Sequence, residues 1–350
     1  MKRYGNLYSK IYDMDNIRLA HQNARKGKKH YDEVKMVDTN PEYYFEQIHR
    51  MLKDKTFRNS EYQVFTKKFE QKEREIFKLP YFPDRIIHHC IMQVLEPIWK
   101  KTLIRDTYSS IKGRGLHDGA RRVKKALKDI QGTRYCLKID IRKFYPSVNH
   151  EILKQVIRKK IKCSDTLWLI DEIIDSTSGV PIGNYLSQYF GNLYLSDLDH
   201  FIKERRRVKY YFRYCDDLVL LSNCKKQLRR VLGTIIHFCR KIKLVLKSNY
   251  QIFPVDDRGI DFLGYRFFHG YILLRKSIVK RFKSKIDYAL NNWVYSNKQA
   301  IVNGIMSYWG WLKFGDCKTL IGKYIDLRIQ VLFGVCCFML KQRNPLRRMI

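Results

Sequence analysis

The order of apolar and polar positions along the chain predicts helices first and strands afterwards. Residues 1–60 indicate helices joined by basic loops, whereas residues 61–79 alternate apolar and charged positions as a strand does. No Gly-Asn turn fixes the register of those strands. Residues 86–95 carry apolar side chains at helical spacing, which predicts a buried helix that Pro97 ends. His88 and His89 lie inside this helix, where packing is a better interpretation than metal binding.

Two later apolar runs end in acidic residues. Residues 135–141 predict a buried strand that ends at Asp140, followed by an open loop and a helix from about Asn149. Apolar residues on both sides of Tyr214-Cys215-Asp216-Asp217 predict a β-hairpin with adjacent carboxylates at its tip. Adjacent carboxylates repel each other unless a positive charge balances them. An ordinary turn is the alternative, because aspartate is common in turns.

If those strands are neighbours in one sheet, Asp140, Asp216 and Asp217 converge on a site for two divalent cations. Paired cations of this kind support in-line phosphoryl transfer. Carboxylates with no nearby histidine or cysteine cluster favour Mg²⁺, with Mn²⁺ as a possible substitute. Cys215 points to the other strand face by the two-residue period, so we do not expect it to be a ligand.

The net charge of the chain indicates what kind of partner it binds. The 350 residues include 69 Lys and Arg against 34 Asp and Glu, for a net charge of +35, and 24 tyrosines. Basic charge mixed with aromatic rings suits a surface that neutralises phosphates and stacks bases, so nucleic acid is the expected partner. With 45% hydrophobic residues the chain can bury a core, which excludes a disordered basic tail.

Location is predicted from what the sequence lacks. No apolar run approaches the roughly 20 residues of a membrane span, and the N-terminus has no signal-peptide core. The nine cysteines include no CxxC pair, which favours reduced thiols over disulfides or a zinc site. These features predict a cytoplasmic protein without a membrane partner.

In their order and spacing, the motifs from about residue 60 to 266 resemble those of reverse transcriptases. The resemblance rests on three motifs: Ile139–Tyr145, the Tyr-x-Asp-Asp hairpin at 214–217 and Phe262–Tyr265. The resemblance implies an α+β, right-hand polymerase fold. Its parts would be fingers with an N-terminal helical extension (1–135), a palm of antiparallel sheet and helices (136–265, with a fingers-like insertion about 160–180) and a helical thumb (266–350).

The resemblance also assigns roles. Asp140 and Asp216 would hold metal with the Ile141 carbonyl, and Asp217 would support them as a further metal-binding and catalytic carboxylate. Tyr145 matches a steric gate that excludes a 2′-hydroxyl and so selects deoxynucleotides. The nucleotide-binding set would be Lys67, Lys72, Arg74, Phe144, Tyr145, Ile182, Gly183 and Gln188. The primer grip would be Phe262, Leu263, Gly264 and Tyr265. The residues on the nucleic-acid backbone would be Arg275, Lys276, Lys280 and Arg281.

One motif narrows the family. Most reverse transcriptases carry Gln-Gly-x-x-x-Ser-Pro where this chain has Ile182-Gly183 and Ser187-Gln188, and this departure resembles diversity-generating retroelements of bacteria and phages. Residues 259–265 and 274–280 also match that group. The resemblance implies copying of a template-repeat RNA into adenine-mutagenised cDNA (mutagenic retrohoming). It further implies a small, basic, pentameric accessory protein as partner.

Other interpretations stay open at this point. A group II intron-like, retron or phage-defence reverse transcriptase would share the three aspartates, although the Val-Thr-Gly signature of retrons is absent. A catalytically silent RNA-binding scaffold with a polymerase fold is the alternative from another class. The intact acidic residues argue against it, because clustered like charges are costly to maintain.

Overall fold

The computed structural model describes residues 2–69, 72–292 and 297–326. The chain forms two compact units. The first contains residues 1–115 and 137–252, and the second contains residues 116–136 and the described residues from 253 onward. Both combine helices with β-structure, so the predicted α+β class is confirmed. The boundaries given above for fingers, palm and thumb stay a prediction, and residues 327–350 of the predicted thumb lie outside the described residues.

Helices are more frequent than strands in the described chain. They are α1 (Tyr8–Ile11), α2 (Met14–Ala24), α3 (Asp32–Thr39), α4 (Pro41–Lys53), α5 (Ile86–Lys100), α6 (Leu116–Ala126), α7 (His150–Arg158), α8 (Ser164–Ile174), α9 (Ser187–Tyr194), α10 (Ser196–His200), α11 (Lys225–Lys241), α12 (Val255–Arg258), α13 (Lys276–Asn292), α14 (Lys298–Leu312) and α15 (Lys318–Ile321). Short helical turns are Tyr81–Arg85, Tyr145–Ser147, Phe201–Arg205 and Gly322–Asp326.

The strands form three sheets. They are β1 (Gln63–Phe69), β2 (Lys72–Lys78), β3 (Tyr135–Asp140), β4 (Tyr210–Tyr214), β5 (Asp217–Ser222), β6 (Gln251–Pro254), β7 (Ile260–Phe262), β8 (Tyr265–Phe267) and β9 (Ile272–Leu274). β1 and β2 form an antiparallel pair, β7-β8-β9 form an antiparallel sheet, and the third sheet has the order β4-β5-β3-β6. β3 is therefore next to β5 of the β4–β5 hairpin, which is the condition stated above for the three aspartates to converge.

The buried helix α5 confirms the apolar pattern but does not end where we predicted. It continues past Pro97 to Lys100. A proline removes one backbone donor. Because Pro97 lies in the last turn, and Ile98 and Trp99 after it are buried, packing holds that turn in place.

Two buried histidines in α5 predict a pH-dependent stability. Burial lowers the pKa of His88 to about 3 and that of His89 to about 4, and His88 Nε2 has no hydrogen-bond partner. In the unfolded chain, both histidines take up a proton below their ordinary pKa near 6.5. The folded state therefore loses stability as pH falls. Between pH 7 and pH 5, we expect the free energy of unfolding to fall by about 2 kcal/mol less in His88→Leu than in the unmodified chain.

Urea unfolding at the two pH values measures this difference. His237→Leu, at an exposed position on α11, is the matched control. Equal pH dependence in the two variants would contradict the assignment.

Within the described residues, no helix is both long and apolar enough to cross a membrane. The seven cysteines of this part of the chain form no disulfide with one another. Asn149 caps α7 by accepting a hydrogen bond from the Ile152 amide, which confirms the helix start predicted after Asp140. The basic helix α6 starts at Leu116 and includes Gly119, which is buried.

Candidate active site

The predicted acidic hairpin forms, and a neighbouring strand end joins it. Tyr214 pairs with Asp217, which leaves Cys215 and Asp216 as the connecting loop. Cys215 has a φ of 52°, in the left-handed region that a tight turn requires. The Ile141 amide donates to the Asp216 carbonyl at 3.3 Å. Asp140 and Asp216 therefore lie at adjoining strand ends.

Each of two carboxylates has one oxygen on a lysine and one without a partner. Lys247 Nζ lies 2.5 Å from Asp140 Oδ2, and Lys138 Nζ lies 3.3 Å from Asp217 Oδ2. The remaining Oδ1 atoms of Asp140 and Asp217 are buried without a hydrogen-bond partner. An unpaired buried carboxylate oxygen is costly. A cation at this place would remove that cost.

The pKa values of the hairpin carboxyls are raised by their surroundings. Burial raises the pKa of Asp217 to about 6, against the opposing charge of Lys138. Burial also raises the pKa of Asp216, and repulsion from Asp140 adds to the increase, whereas Lys247 and Arg74 oppose it. The protein alone therefore leaves these carboxyls short of positive charge.

The donor set fits a hard divalent cation that also binds substrate. Across residues 2–69, 72–292 and 297–326, no group of three or more His, Cys, Asp or Glu could hold a metal ion unaided. Mg²⁺ is commonly held by one or two carboxylates, and water and substrate phosphates supply its other ligands. The unpaired oxygens of Asp140 and Asp217 fit that mode. The full set of three carboxylates and the Ile141 carbonyl stays a prediction.

Tyr145 is fixed beside the hairpin. Its hydroxyl donates to Gln188 Oε1 at 2.6 Å, and its ring centroid lies 5.1 Å from that of the buried Phe144. Cys215 Sγ lies 2.8 Å from Ser109 Oγ. The structure thus brings the predicted gate close to the acidic hairpin, and Cys215 faces Ser109.

The β1–β2 hairpin approaches the Ile182-Gly183 motif. The Phe77 amide donates to the Ile182 carbonyl at 2.8 Å. Gly183 has a φ of 122°, and a Cβ added there would lie 2.4 Å from the Phe77 carbonyl oxygen. This position therefore requires glycine. Arg74 pairs with Lys67 in the strand register, and its charge lowers the pKa of Asp216. The side chain of Lys72 lies outside the described residues.

The predicted primer grip belongs to the second unit. Leu263 and Gly264 form the β7–β8 turn with φ values of 53° and 80°, which is the pattern of a type I′ hairpin. Phe262 and Tyr265 are buried, and the Tyr265 hydroxyl lies 3.2 Å from His117 Nε2. The two aromatic side chains therefore support the turn from inside the unit.

Four basic residues surround the start of α13 in the same unit. Arg275 pairs with Asp261 at 2.7 Å, so its guanidinium already has a structural partner. Lys276, Lys280 and Arg281 are exposed on α13. Their contact with a nucleic-acid backbone stays a prediction.

Sequence reasoning missed a buried ion pair below the hairpin. Arg213 and Asp199 have fully buried side chains 2.6 Å apart, and Arg213 Nη1 donates to the Cys215 carbonyl at 3.0 Å. The pair therefore fixes the turn that carries Asp216. The signal was an arginine inside the apolar run of β4, because a buried charge requires a partner. Lys138 and Lys247 were missed as well, since their partners are set by the sheet.

Three comparisons place this geometry among known proteins. Residues 47–267 match the family model described as "Reverse transcriptase (RNA-dependent DNA polymerase)". Protein YkfC of Escherichia coli (strain K12) is 24% identical, with 54% of this chain and 61% of that protein covered. Group II intron-encoded protein LtrA of Lactococcus lactis subsp. cremoris is 24% identical, with 56% and 35% covered. The chain thus spans less than two thirds of either relative.

A solved structure, apo telomerase from Candida tropicalis, has a TM-score of 0.48 and 14% identity over 63% of this chain and 49% of its own. The family match covers more than half of the chain and includes Asp140, Asp216 and Asp217 together with the turn at Gly264.

Proposed function

Because this chain belongs to the reverse transcriptase (RNA-dependent DNA polymerase) family, with its right-hand polymerase fold, we propose that it extends DNA primers along an RNA template. The observation that carries this proposal is the junction of the Asp140 strand end with the acidic hairpin, where one carboxylate oxygen of Asp140 and one of Asp217 lie buried without hydrogen-bond partners. Primer extension with RNA template, deoxynucleotides and Mg²⁺ tests it. Product that requires both template and metal supports the proposal, and no product on any template contradicts it.

Divalent cations, when bound, would lower the pKa of a primer 3′-hydroxyl and stabilise the charge on the leaving pyrophosphate. Asp140 and Asp216 would hold them, with Asp217 in support. Lys247 would give up its ion pair with Asp140 and remain near the reacting phosphates as a positive charge. Mg²⁺ is the proposed ion, because the donors are hard oxygens.

We propose that the ring of Tyr145 selects the nucleotide. A ring held rigidly against the sugar turns the extra oxygen of a ribonucleotide into a steric clash. Arg74 and Lys67 on the β1–β2 hairpin would contact the triphosphate, in keeping with the influence of Arg74 on Asp216. Deoxynucleotides are therefore the proposed substrates.

We further propose that this polymerase serves a diversity-generating retroelement and copies template-repeat RNA with errors at adenines. Support comes from Ile182-Gly183 and Ser187-Gln188, which replace the more common motif. A small, basic, pentameric accessory protein is the proposed partner. Since this chain carries +35, RNA would have to bridge the two basic proteins. Sequencing of the neighbouring DNA tests this: a template repeat that differs from a variable repeat at adenines supports it.

Ile182 gives a physical basis for inaccurate copying. An apolar side chain offers no hydrogen bond where glutamine would offer one, and such a contact is worth about 1 kcal/mol. We expect Ile182→Gln to lower misincorporation opposite adenine several-fold while extension continues. Sequencing of cDNA made on one RNA template measures the error frequency.

Ile182→Met, which keeps an apolar side chain, is the matched control and should retain the errors. An unchanged adenine error frequency in Ile182→Gln would remove the proposed cause.

A further inference from the structure

One side-chain oxygen, Gln188 Oε1, lies within hydrogen-bonding distance of three side chains beside the candidate active site. Gln188 Oε1 lies 2.6 Å from the Tyr145 hydroxyl, 3.3 Å from Ser109 Oγ and 3.5 Å from Cys215 Sγ. Burial raises the pKa of the Tyr145 hydroxyl, which keeps that hydroxyl protonated as a donor. The Tyr145 hydroxyl is therefore held by a short, partly buried hydrogen bond.

The helix that supplies Gln188 also makes room for the tyrosine ring. A Cβ added at Gly191 would lie 3.0 Å from Phe144 Cε1 and 3.1 Å from Tyr145 Cε1. Residues 188 and 191 are three apart on α9 and so share a face. The same face of α9 therefore packs against the Tyr145 ring at Gly191 and accepts a hydrogen bond from the Tyr145 hydroxyl at Gln188.

The backbone of Tyr145 is fixed independently of Gln188. The Val180 amide donates to the Tyr145 carbonyl at 2.9 Å. Loss of the Gln188 oxygen would therefore leave the residue in place and release only the outer end of its ring. Side-chain torsions of an aromatic residue then regain freedom that the hydrogen bond had removed.

We propose that Gln188, which the resemblance places in the nucleotide-binding set, is a positioning residue for the Tyr145 gate and sets discrimination between deoxy- and ribonucleotides through that tyrosine. This inference rests on the proposed polymerase function. Position 188 is also where the chain departs from the Ser-Pro of most reverse transcriptases, and proline offers no side-chain acceptor. The same oxygen contacts Cys215, so the gate and the acidic hairpin share one support.

A double-mutant cycle tests the inference. Gln188→Met keeps the length of the side chain but removes the acceptor, and Tyr145→Phe keeps the ring but removes the donor. We expect each to lower the ratio of kcat/KM for deoxy- over ribonucleotides about 3- to 10-fold, the effect of one hydrogen bond. The double variant should show no further loss, because both changes remove the same bond.

Tyr189→Phe is the matched control. Its hydroxyl donates to Glu96 Oε1, also at 2.6 Å and from the same helix, but away from the gate. We expect its selectivity ratio to be unchanged. Independent, additive effects in the double variant, or an unchanged ratio in Tyr145→Phe, would overturn the inference while extension itself continued. Absence of extension by the unmodified chain would instead reject the polymerase function.

Discussion

Asp216→Ala is expected to lower the rate of metal-dependent primer extension by about a thousandfold or more, with little change in RNA binding. The carboxylate lies at the hairpin tip, where burial and repulsion from Asp140 raise its pKa although Lys247 and Arg74 oppose the increase. Its removal deletes a proposed metal ligand but leaves the basic surface intact. Single-turnover extension and fluorescence anisotropy with labelled RNA measure the two effects separately.

Asp257→Ala is a control for the loss of one negative charge, since Asp257 is exposed on α12. It should extend primers at the normal rate. Near-normal extension by Asp216→Ala would contradict the metal assignment. An equal loss of extension and RNA binding would show that the substitution had damaged the fold.

Arg213→Met is expected to destabilise the protein by about 3–5 kcal/mol, because it leaves the buried Asp199 carboxylate without its counter-charge. Urea unfolding measures this loss. Arg213→Met combined with Asp199→Asn removes both charges and should recover a large part of the stability. Primer extension should be low in both the single and the double variant, because both lack the donor to the Cys215 carbonyl.

The control is Arg229→Met, at an exposed position on α11, which should change stability by less than about 0.5 kcal/mol. A similar small loss in Arg213→Met would mean that the buried pair does not hold the hairpin. Full primer extension by the double variant would show that polymerase activity does not depend on the Arg213–Asp199 ion pair.

The acidic strand ends were predictable because their signal is local. Apolar runs with an aspartate at the end specify both the strands and the carboxylates at their ends, and the sheet then places β3 beside β5. The resemblance, carried by the order of the motifs, predicted the polymerase class that the family match confirms.

Contacts between distant segments were not predictable in the same way. Lys247 and Asp140 are 107 positions apart, and their ion pair exists only because a backbone pairing aligns the two segments. The Tyr145–Gln188 hydrogen bond likewise depends on where α9 packs. Pro97 was misjudged because the burial of its neighbours outweighs its local preference.

Gly183 limits how copying accuracy can be altered by evolution or by engineering. The Phe77 carbonyl occupies the space of any side chain at 183, so this position is closed to the other amino acids. Ile182 donates no side-chain hydrogen bond and meets the β2 backbone through its own carbonyl, which every residue type has. The motif therefore combines one invariable position with one whose side chain can vary on an unchanged backbone.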